Sequence, residues 1–234
     1  MGKISAMVFA AGLGTRLYPL TADRPKALVE YQGRPLIDYV LNKIIDSGIQ
    51  HIVVNIHHFP DLMVEYLNTH SYHADIEISD ERDYLRDTGG GLKYAAAHFQ
   101  NSDHILLHNV DILSDFDLKK LINKHISEGN LATLAVRERH TSRYLLFDDE
   151  LTLCGWRNNQ SGEEIHARER SSYRPFAFSG IHVVRRELIE LIPSDEKKSI
   201  TPIYVGLAKD HCIKGFPHNE GSWRDMGKIE DFNS

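Results

Sequence analysis

Cysteine is nearly absent. Cys154 and Cys212 are the only two in 234 residues. That number supports no disulfide framework, and a reducing compartment is the simpler expectation. Long apolar runs are missing as well. None approaches the ~20 residues needed to span a bilayer, so the sequence predicts a soluble, cytoplasmic chain with no membrane partner. The N-terminal stretch MGKISAMVFAAG has one early lysine and passes straight into a glycine-rich turn. It reads as a buried first strand and not as a signal peptide. Basic excess is lacking too: 27 Lys and Arg face 33 Asp and Glu, for a net charge of −6. A general nucleic-acid surface needs a net basic field, so no nucleic-acid partner is expected. A local basic pocket for one nucleotide remains open.

Several reaction signatures are also missing. There is no Gly-x-Ser-x-Gly nucleophile elbow. The Gly-Lys-Ser/Thr of a Walker A loop and the third glycine of the dinucleotide fingerprint are absent. The 14 histidines, His57-His58 included, show no metal-binding spacing. Repeats, linkers and low-complexity tracts are absent, so one domain over 1–234 is expected.

What is present has ordinary globular composition, 41% hydrophobic and 26% charged. The first half alternates strand-like and helix-like segments. Strands are expected at Ile4 to Ala10, His51 to Ile56, Ile76 to Ser79 and Ile105 to Val110. Helices are expected at Pro35 to Ser47, Pro60 to Leu67, Leu92 to Phe99 and Leu118 to Ile126. Such alternation predicts a parallel sheet with helices on both faces. Ligands then bind beyond the carboxyl ends of the strands. The second half is less regular. Leu131 to Val136, Tyr144 to Phe147, Phe176 to Val184 and Ile213 to Pro217 read as strands. Glu187 to Ile192 and Pro202 to Lys209 read as short helices, and Asn158 to Arg170 as a loop or hairpin.

Three segments carry chemistry. Ala10-Ala11-Gly12-Leu13-Gly14-Thr15-Arg16 follows the first strand. Its glycines let backbone N–H groups approach an anion, and Arg16 adds a planar fork for phosphate oxygens. Lys26, in Arg24-Pro25-Lys26, supplies a second cation. Next, Asp87-Thr88-Gly89-Gly90-Gly91 opens a helix after Ser79-Asp80-Glu81-Arg82. A base could lie on such a flat backbone surface at Gly89 and Gly90. Glu81 accepts hydrogen bonds only. It favours guanine if it faces the base, and otherwise faces solvent or a neighbouring N–H. Asn55 ends a strand and is a candidate pocket lining. Finally, Asp111 ends the strand Ile105 to Val110, and Asp225 lies in Trp223-Arg224-Asp225-Met226-Gly227. Two such carboxylates suffice for Mg²⁺, which takes hard oxygen ligands completed by water and phosphate.

The run AAGLGTRLYPLTADRPKALVEYQGRPLIDY resembles the signature of the sugar-1-phosphate nucleotidylyltransferases. Asn109-Val110-Asp111 is similar to that family's Asn-Gly-Asp element, with Val110 in place of glycine. Trp223-x-Asp225-x-Gly227 is similar to its closing Trp-x-Asp-x-Gly element. The resemblance implies an α/β, three-layer sandwich with a mostly parallel central sheet, a Rossmann-like nucleotide-diphospho-sugar transferase core of the GT-A-like kind. About 1–130 would hold the nucleotide and about 131–234 the sugar. It implies that Ala10, Ala11, Gly12, Gly14, Thr15 and Arg16 wrap the triphosphate. Arg16, Lys26 and Asp111 would be catalytic, and Asp111 and Asp225 would carry Mg²⁺. Asn55, Glu81, Gly89 and Gly90 would border the base. The family's Glu-Lys-Pro element is missing. Val136-Arg137-Glu138-Arg139 lies where it is expected, and Arg143, Trp156 and Arg157 are alternatives. Asn109, Arg143, Trp156 and Gly180 are the expected sugar-side residues.

The implied reaction joins the NMP of a nucleoside triphosphate to a sugar 1-phosphate and releases pyrophosphate. Short relatives acting on N-acetylmuramate 1-phosphate with UTP fit first. Mannose or heptose 1-phosphate with GTP comes next, and a silent nucleotide-sugar binding module is the alternative of another class. A monomer or homodimer is expected.

Overall fold

The apolar runs of the first half become the middle of one large sheet. The structure, a computed structural model, describes residues 2–232. In chain order the first half holds β1 (Ile4–Phe9), a small hairpin of β2 (Glu30–Tyr31) and β3 (Arg34–Pro35), α1 (Leu36–Asp46), β4 (His51–Ile56), α2 (Pro60–Thr69), β5 (Asp75–Asp80), α3 (Asp87–Tyr94) and β6 (His104–Asn109). There follow β7 (Ile112–Ser114), α4 (Leu118–Glu128), β8 (Ala132–Arg137), β9 (Arg143–Phe147), β10 (Leu153–Asn158), β11 (Glu164–His166), β12 (Arg174–Arg185), α5 (Leu188–Leu191), α6 (Ile200–Leu207), β13 (Ile213–Pro217) and β14 (Trp223–Asp225).

The sheet runs β11-β10-β9-β12-β6-β1-β4-β5, with β8 and β13 branching from β12. β6, β1, β4 and β5 are parallel, as the βα alternation requires. β12 joins β6 in the antiparallel sense and carries the second half of the chain onto the same sheet. Successive strand residues face opposite sides, and each side has its own core. Met7, Phe9, Val53, Ile105 and Leu107 meet α3, α5 and α6 on one face. Ala6, Val8, Ile52, Val54 and Leu106 meet α1, α2 and α4 on the other. That is the three-layer arrangement. Among the described residues, no helix is long and apolar enough to cross a membrane. Cys154 is buried and Cys212 exposed, both as free thiols.

Two departures from the expected elements matter for the site. α3 begins at Asp87, so the three glycines lie inside the helix and not before it. Glycine disfavours helix interiors by up to ~1 kcal/mol, but packing reverses the balance. A Cβ on Gly89 would fall 2.8 Å from the Lys198 carbonyl, and one on Gly91 2.7 Å from Glu81 Oε1. The second departure is the three-residue pair β7–β14, which no periodicity announces. It ties the chain's end to the strand exit of β6. The segment 158–170 takes the hairpin form, as β10 and β11 pair across 159–163.

Candidate active site

The glycine turn grows from the carboxyl end of β1. Gly14 is left-handed at φ 64°, and a Cβ there would lie 2.8 Å from Thr21 Cγ2. Thr21 Oγ1 donates to the Gly14 carbonyl at 3.0 Å, and a 3-10 turn over Thr15–Leu17 follows. Gly12, Gly14, Thr15 and Arg16 line a cleft of about 390 Å³ together with Lys26, Asn109, Asp111 and Gly227.

Asp111 lines that cleft, and Asp225 lies close enough to feel its charge. β14 pairs with β7 so that Asp225 lies opposite Ile112, and the Met226 N–H donates to the Asp111 carbonyl at 2.8 Å. Lys26 is buried and forms an ion pair with Asp111 Oδ2. Asp225 Oδ1 and Arg16 Nη2 both abut Gly227, where an added Cβ would sit 2.7 and 2.8 Å from them. Burial raises the pKa of Asp225, and the Asp111 charge raises it further, while Lys26 and Arg16 oppose the shift. Asp225 Oδ1 is buried with no hydrogen-bond partner. Two facing carboxylates, one with an orphaned buried oxygen, fit a bound divalent cation, because such an ion satisfies both.

Asn55 lines the same cleft from the end of β4, but as a clamp. Its Oδ1 accepts from the N–H groups of Ala10, at 2.7 Å, and Ala11, at 3.3 Å. Those two donors therefore hold the turn in shape and are not free for phosphate. Its Nδ2 donates to Glu81 Oε1 at 2.7 Å. Glu81 Oε2 accepts from the Arg86 N–H at 3.1 Å. Glu81 is fully buried, and burial raises its pKa against the pull of Asn55 and Arg86. Of the two placements the sequence leaves open for Glu81, the neighbouring N–H is the one observed and not the base: both oxygens are occupied beneath the cleft. Gly89 and Gly90 likewise stand behind the wall. Both donate to the Lys198 carbonyl, at 2.7 and 3.1 Å. Leu85, Asp87, Thr88 and Lys197 form that wall instead.

Breaking this relay should loosen the turn. A Glu81→Leu enzyme leaves the Asn55 amide and the Arg86 N–H unpaired, at a cost of ~1–3 kcal/mol each. Its KM for the triphosphate is expected to rise about tenfold, with a lower melting temperature. Steady-state kinetics and a thermal melt check both. An unchanged KM would show that Glu81 does not hold the turn.

The sugar-side candidates divide. Asn109 lines the cleft, and a Cβ on Gly180 (φ 73°) would lie 2.8 Å from Asn109 Nδ2, so these two adjoin. Arg143 and Trp156 line a neighbouring pocket of about 790 Å³ with Arg139, His166, Phe178 and Lys209. Arg139 borders this second pocket and lies within reach of the Asp225 charge. Its guanidinium lies 4.5 Å over the Trp223 ring, and it donates to the Phe178 carbonyl. Its Nε is buried without a partner. Arg137 instead binds the carbonyls of His218, Asn219 and Gly221 and is structural. Arg139 was visible in the sequence only as one member of a basic run.

Comparison with known proteins fits this geometry. Residues 5–150 match the model of the nucleotidyl transferase family. The N-acetylmuramate alpha-1-phosphate uridylyltransferase of Caulobacter vibrioides is 31% identical over 227 residues, covering 95% of this chain and 91% of that protein. A putative mannose-1-phosphate guanyltransferase of Sulfolobus acidocaldarius is 29% identical over 98% of this chain. This chain spans only 61% of that relative's length. Among solved structures, HddC from Yersinia pseudotuberculosis, complexed with GMP-PN, superposes with a TM-score of 0.75 at 20% identity, over 100% of this chain and 97% of that one. A putative glucose-1-phosphate thymidylyltransferase from Bacillus anthracis gives 0.80 at 15%, over 98% and 92%. These two establish the fold. Taken with the converging Arg16, Lys26, Asp111 and Asp225, the sequence match shows that this chain belongs to the nucleotidyl transferase family.

Proposed function

We propose that this nucleotidyltransferase moves UMP from UTP to N-acetylmuramate 1-phosphate and releases pyrophosphate. The observation that carries the acceptor side is Arg139, which lines a pocket bordered by Arg143, Lys209 and His166 and feels the Asp225 charge. Arg139 suits the sugar phosphate, since a guanidinium can take two phosphate oxygens at once. Arg143 and Lys209 suit an acceptor that carries a carboxylate of its own, as an N-acetylmuramate does. Glu163 is the one acidic residue among those lining the pocket. Trp156 offers an apolar face for the ring.

The sugar-phosphate oxygen attacks the α-phosphorus in line, and pyrophosphate is the leaving group. That oxygen is ionised at neutral pH, so no side chain need remove a proton. The residues position and neutralise. Gly12, Gly14 and Thr15 cradle the triphosphate, Arg16 meets the charge that builds on the leaving group, and Lys26 orients Asp111. Asp111 and Asp225 would hold Mg²⁺, which supplies charge neutralisation when bound. Glu81 is engaged with Asn55 and Arg86, so the chemical reason to prefer guanine falls away, and UTP is supported by the uridylyltransferase relative that is 31% identical over 95% of this chain.

Mannose 1-phosphate with GTP is the second reading, favoured by the guanyltransferase relative that matches 98% of the chain. Pyrophosphate release across UTP, GTP, CTP, ATP and dTTP, paired with N-acetylmuramate, mannose, glucose and heptose 1-phosphates, separates the two. UTP with N-acetylmuramate 1-phosphate is expected to turn over at least tenfold faster than any other pair. Greater turnover with GTP and a neutral sugar would overturn the assignment. Nucleotide binding with no turnover would support a silent binding module.

A further inference from the structure

We propose that the sheet edge opposite the catalytic cleft carries a metal site of its own, in which His51, Asp75 and Glu77 bind a first-row divalent ion of the Zn²⁺ class. The topology sets out the three ligands. His51 opens β4 and pairs with Asp75, which opens the adjacent parallel strand β5. Glu77 lies two residues further along β5, on the same face. One ligand atom from each lies within 4.8 Å of the other two. Tetrahedral donors at ~2.0–2.1 Å from zinc stand about 3.4 Å apart. His51 Nε2 and Glu77 Oε1 are already 3.2 Å apart. Asp75 is exposed, and rotation of its side chain closes the third edge.

The surroundings orient the imidazole as metal sites do. His51 Nδ1 lies 2.9 Å from Ser5 Oγ, which in turn lies 2.6 Å from Ser102 Oγ. Both serines are buried. When Ser5 accepts from Nδ1–H and donates to Ser102, Nε2 is left with a lone pair aimed at the Glu77 carboxylate. A lone pair facing a carboxylate needs a cation between them. A proton on Nε2 serves one carboxylate, whereas a divalent ion serves all three donors. The other Glu77 oxygen is held by His98 Nδ1, so the carboxylate has its own outer partner. Phe99, next to His98, packs edge-on against the His51 ring at 6.3 Å and limits its rotation. Imidazole with carboxylates suits zinc and its neighbours better than Mg²⁺.

β5 is the edge strand, so an ion here would brace it to β4 and, through His98, to the turn over Ala95–Phe99. The site stands about four residues, or ~13 Å, from Asn55 along β4. It should therefore act on stability and not on turnover. No linear spacing announces it, because its members come together only through the β4–β5 register.

The test is zinc binding by tag-free, chelator-stripped protein, followed by calorimetric titration and thermal melting, with Mg²⁺ as the contrast ion. Zinc is expected to raise the melting temperature by several degrees at ~100 µM, as mass action predicts for a micromolar site. Asp75→Asn and Glu77→Gln should each weaken zinc binding at least tenfold, and His98→Gln by a smaller factor. Pyrophosphate release with Mg²⁺ should stay unchanged in Asp75→Asn, an exposed substitution that keeps the fold. Asp225→Asn should retain the zinc effect, which separates this site from the cleft. Absence of a zinc-dependent shift in the unmodified chain would overturn the proposal. So would zinc binding of unchanged strength in both Asp75→Asn and Glu77→Gln.

Discussion

Replacing Asp225 by Asn is expected to lower kcat by about 10²–10³ while leaving the melting temperature at or above that of the unmodified chain. The two halves of this result have one cause. Asp225 is half-buried near Asp111, and both burial and that neighbour raise its pKa. A carboxylate whose folded pKa is raised is disfavoured by the fold above its unfolded pKa, so its charge destabilises the chain at pH 7. The orphaned Oδ1 adds to that cost. Asn keeps the shape and removes the charge, which relieves Asp111. It also removes the ligand that the reaction needs. A gain or no loss in melting temperature with a large loss in rate is the pattern of a group kept for function at the expense of stability. The check is a thermal melt beside single-turnover pyrophosphate release. Full activity in Asp225→Asn would remove Asp225 from the metal site. Loss of fold would show that the carboxylate is structural.

The contrast between Asp225 and Glu81 shows where sequence reasoning holds. Glu81 follows an expected strand, whereas Asp225 is singled out by the element around it, Trp223-x-Asp225-x-Gly227. The contact that brings it to Asp111 was not legible, because β7 and β14 are three residues each and show no period. Glu81 was read correctly as an acceptor. Which donors it serves depends on Asn55, which comes from the neighbouring strand β4 and adjoins it only through the parallel register. A one-dimensional reading has no access to that. The glycines 89–91 misled for a related reason. Missing side chains suggest an open surface for a ligand, yet Gly89 and Gly90 admit the backbone of 195–199 and Gly91 admits the Glu81 and Asn55 side chains. In the first half, elements were legible because apolar residues fill both faces of buried strands. In the second half, β10 carries Trp156 toward a pocket lined by Arg139, Arg143 and Lys209, so the apolar alternation fails there. Arg139 illustrates the same limit. Arg137, Arg139 and Arg143 look alike in sequence, and only their partners separate them.

Acid should unfold this protein abruptly between about pH 6 and 5, because four of its histidines are buried and neutral. Burial pushes His108 and His218 down to about 4, and His125 and His182 down to about 3. Each has a ring nitrogen that is buried without a partner, so the fold offers nothing that would accept a second N–H. The sign follows from proton counts. Unfolded histidines protonate near 6.5, so below that pH the unfolded chain binds protons that the folded chain refuses. Stability is fully present above pH 6.5 and falls as pH drops toward the folded values. Each histidine contributes a slope approaching 1.4 kcal/mol per pH unit. Four together could remove about 5 kcal/mol per unit, comparable with a whole domain's stability of ~5–15 kcal/mol. Carboxylates held below their ordinary range, Glu77 and Asp148 among them, act only at lower pH, so histidine sets the onset. Melting temperature measured from pH 7.5 to 5 should fall steeply below 6.5. His182→Gln should flatten that slope even though it lowers stability at pH 7.5, since His182 Nδ1 shares a hydrogen bond with Tyr204. A flat profile down to pH 5 would mean that these rings find proton acceptors as they charge. The four lie on or against β6, β8, β12 and β13, the strands that join the two halves of the sheet. Acid therefore attacks the seam between β6, which leads to Asp111, and β8, which leads to Arg139, and activity and fold should be lost over the same pH range.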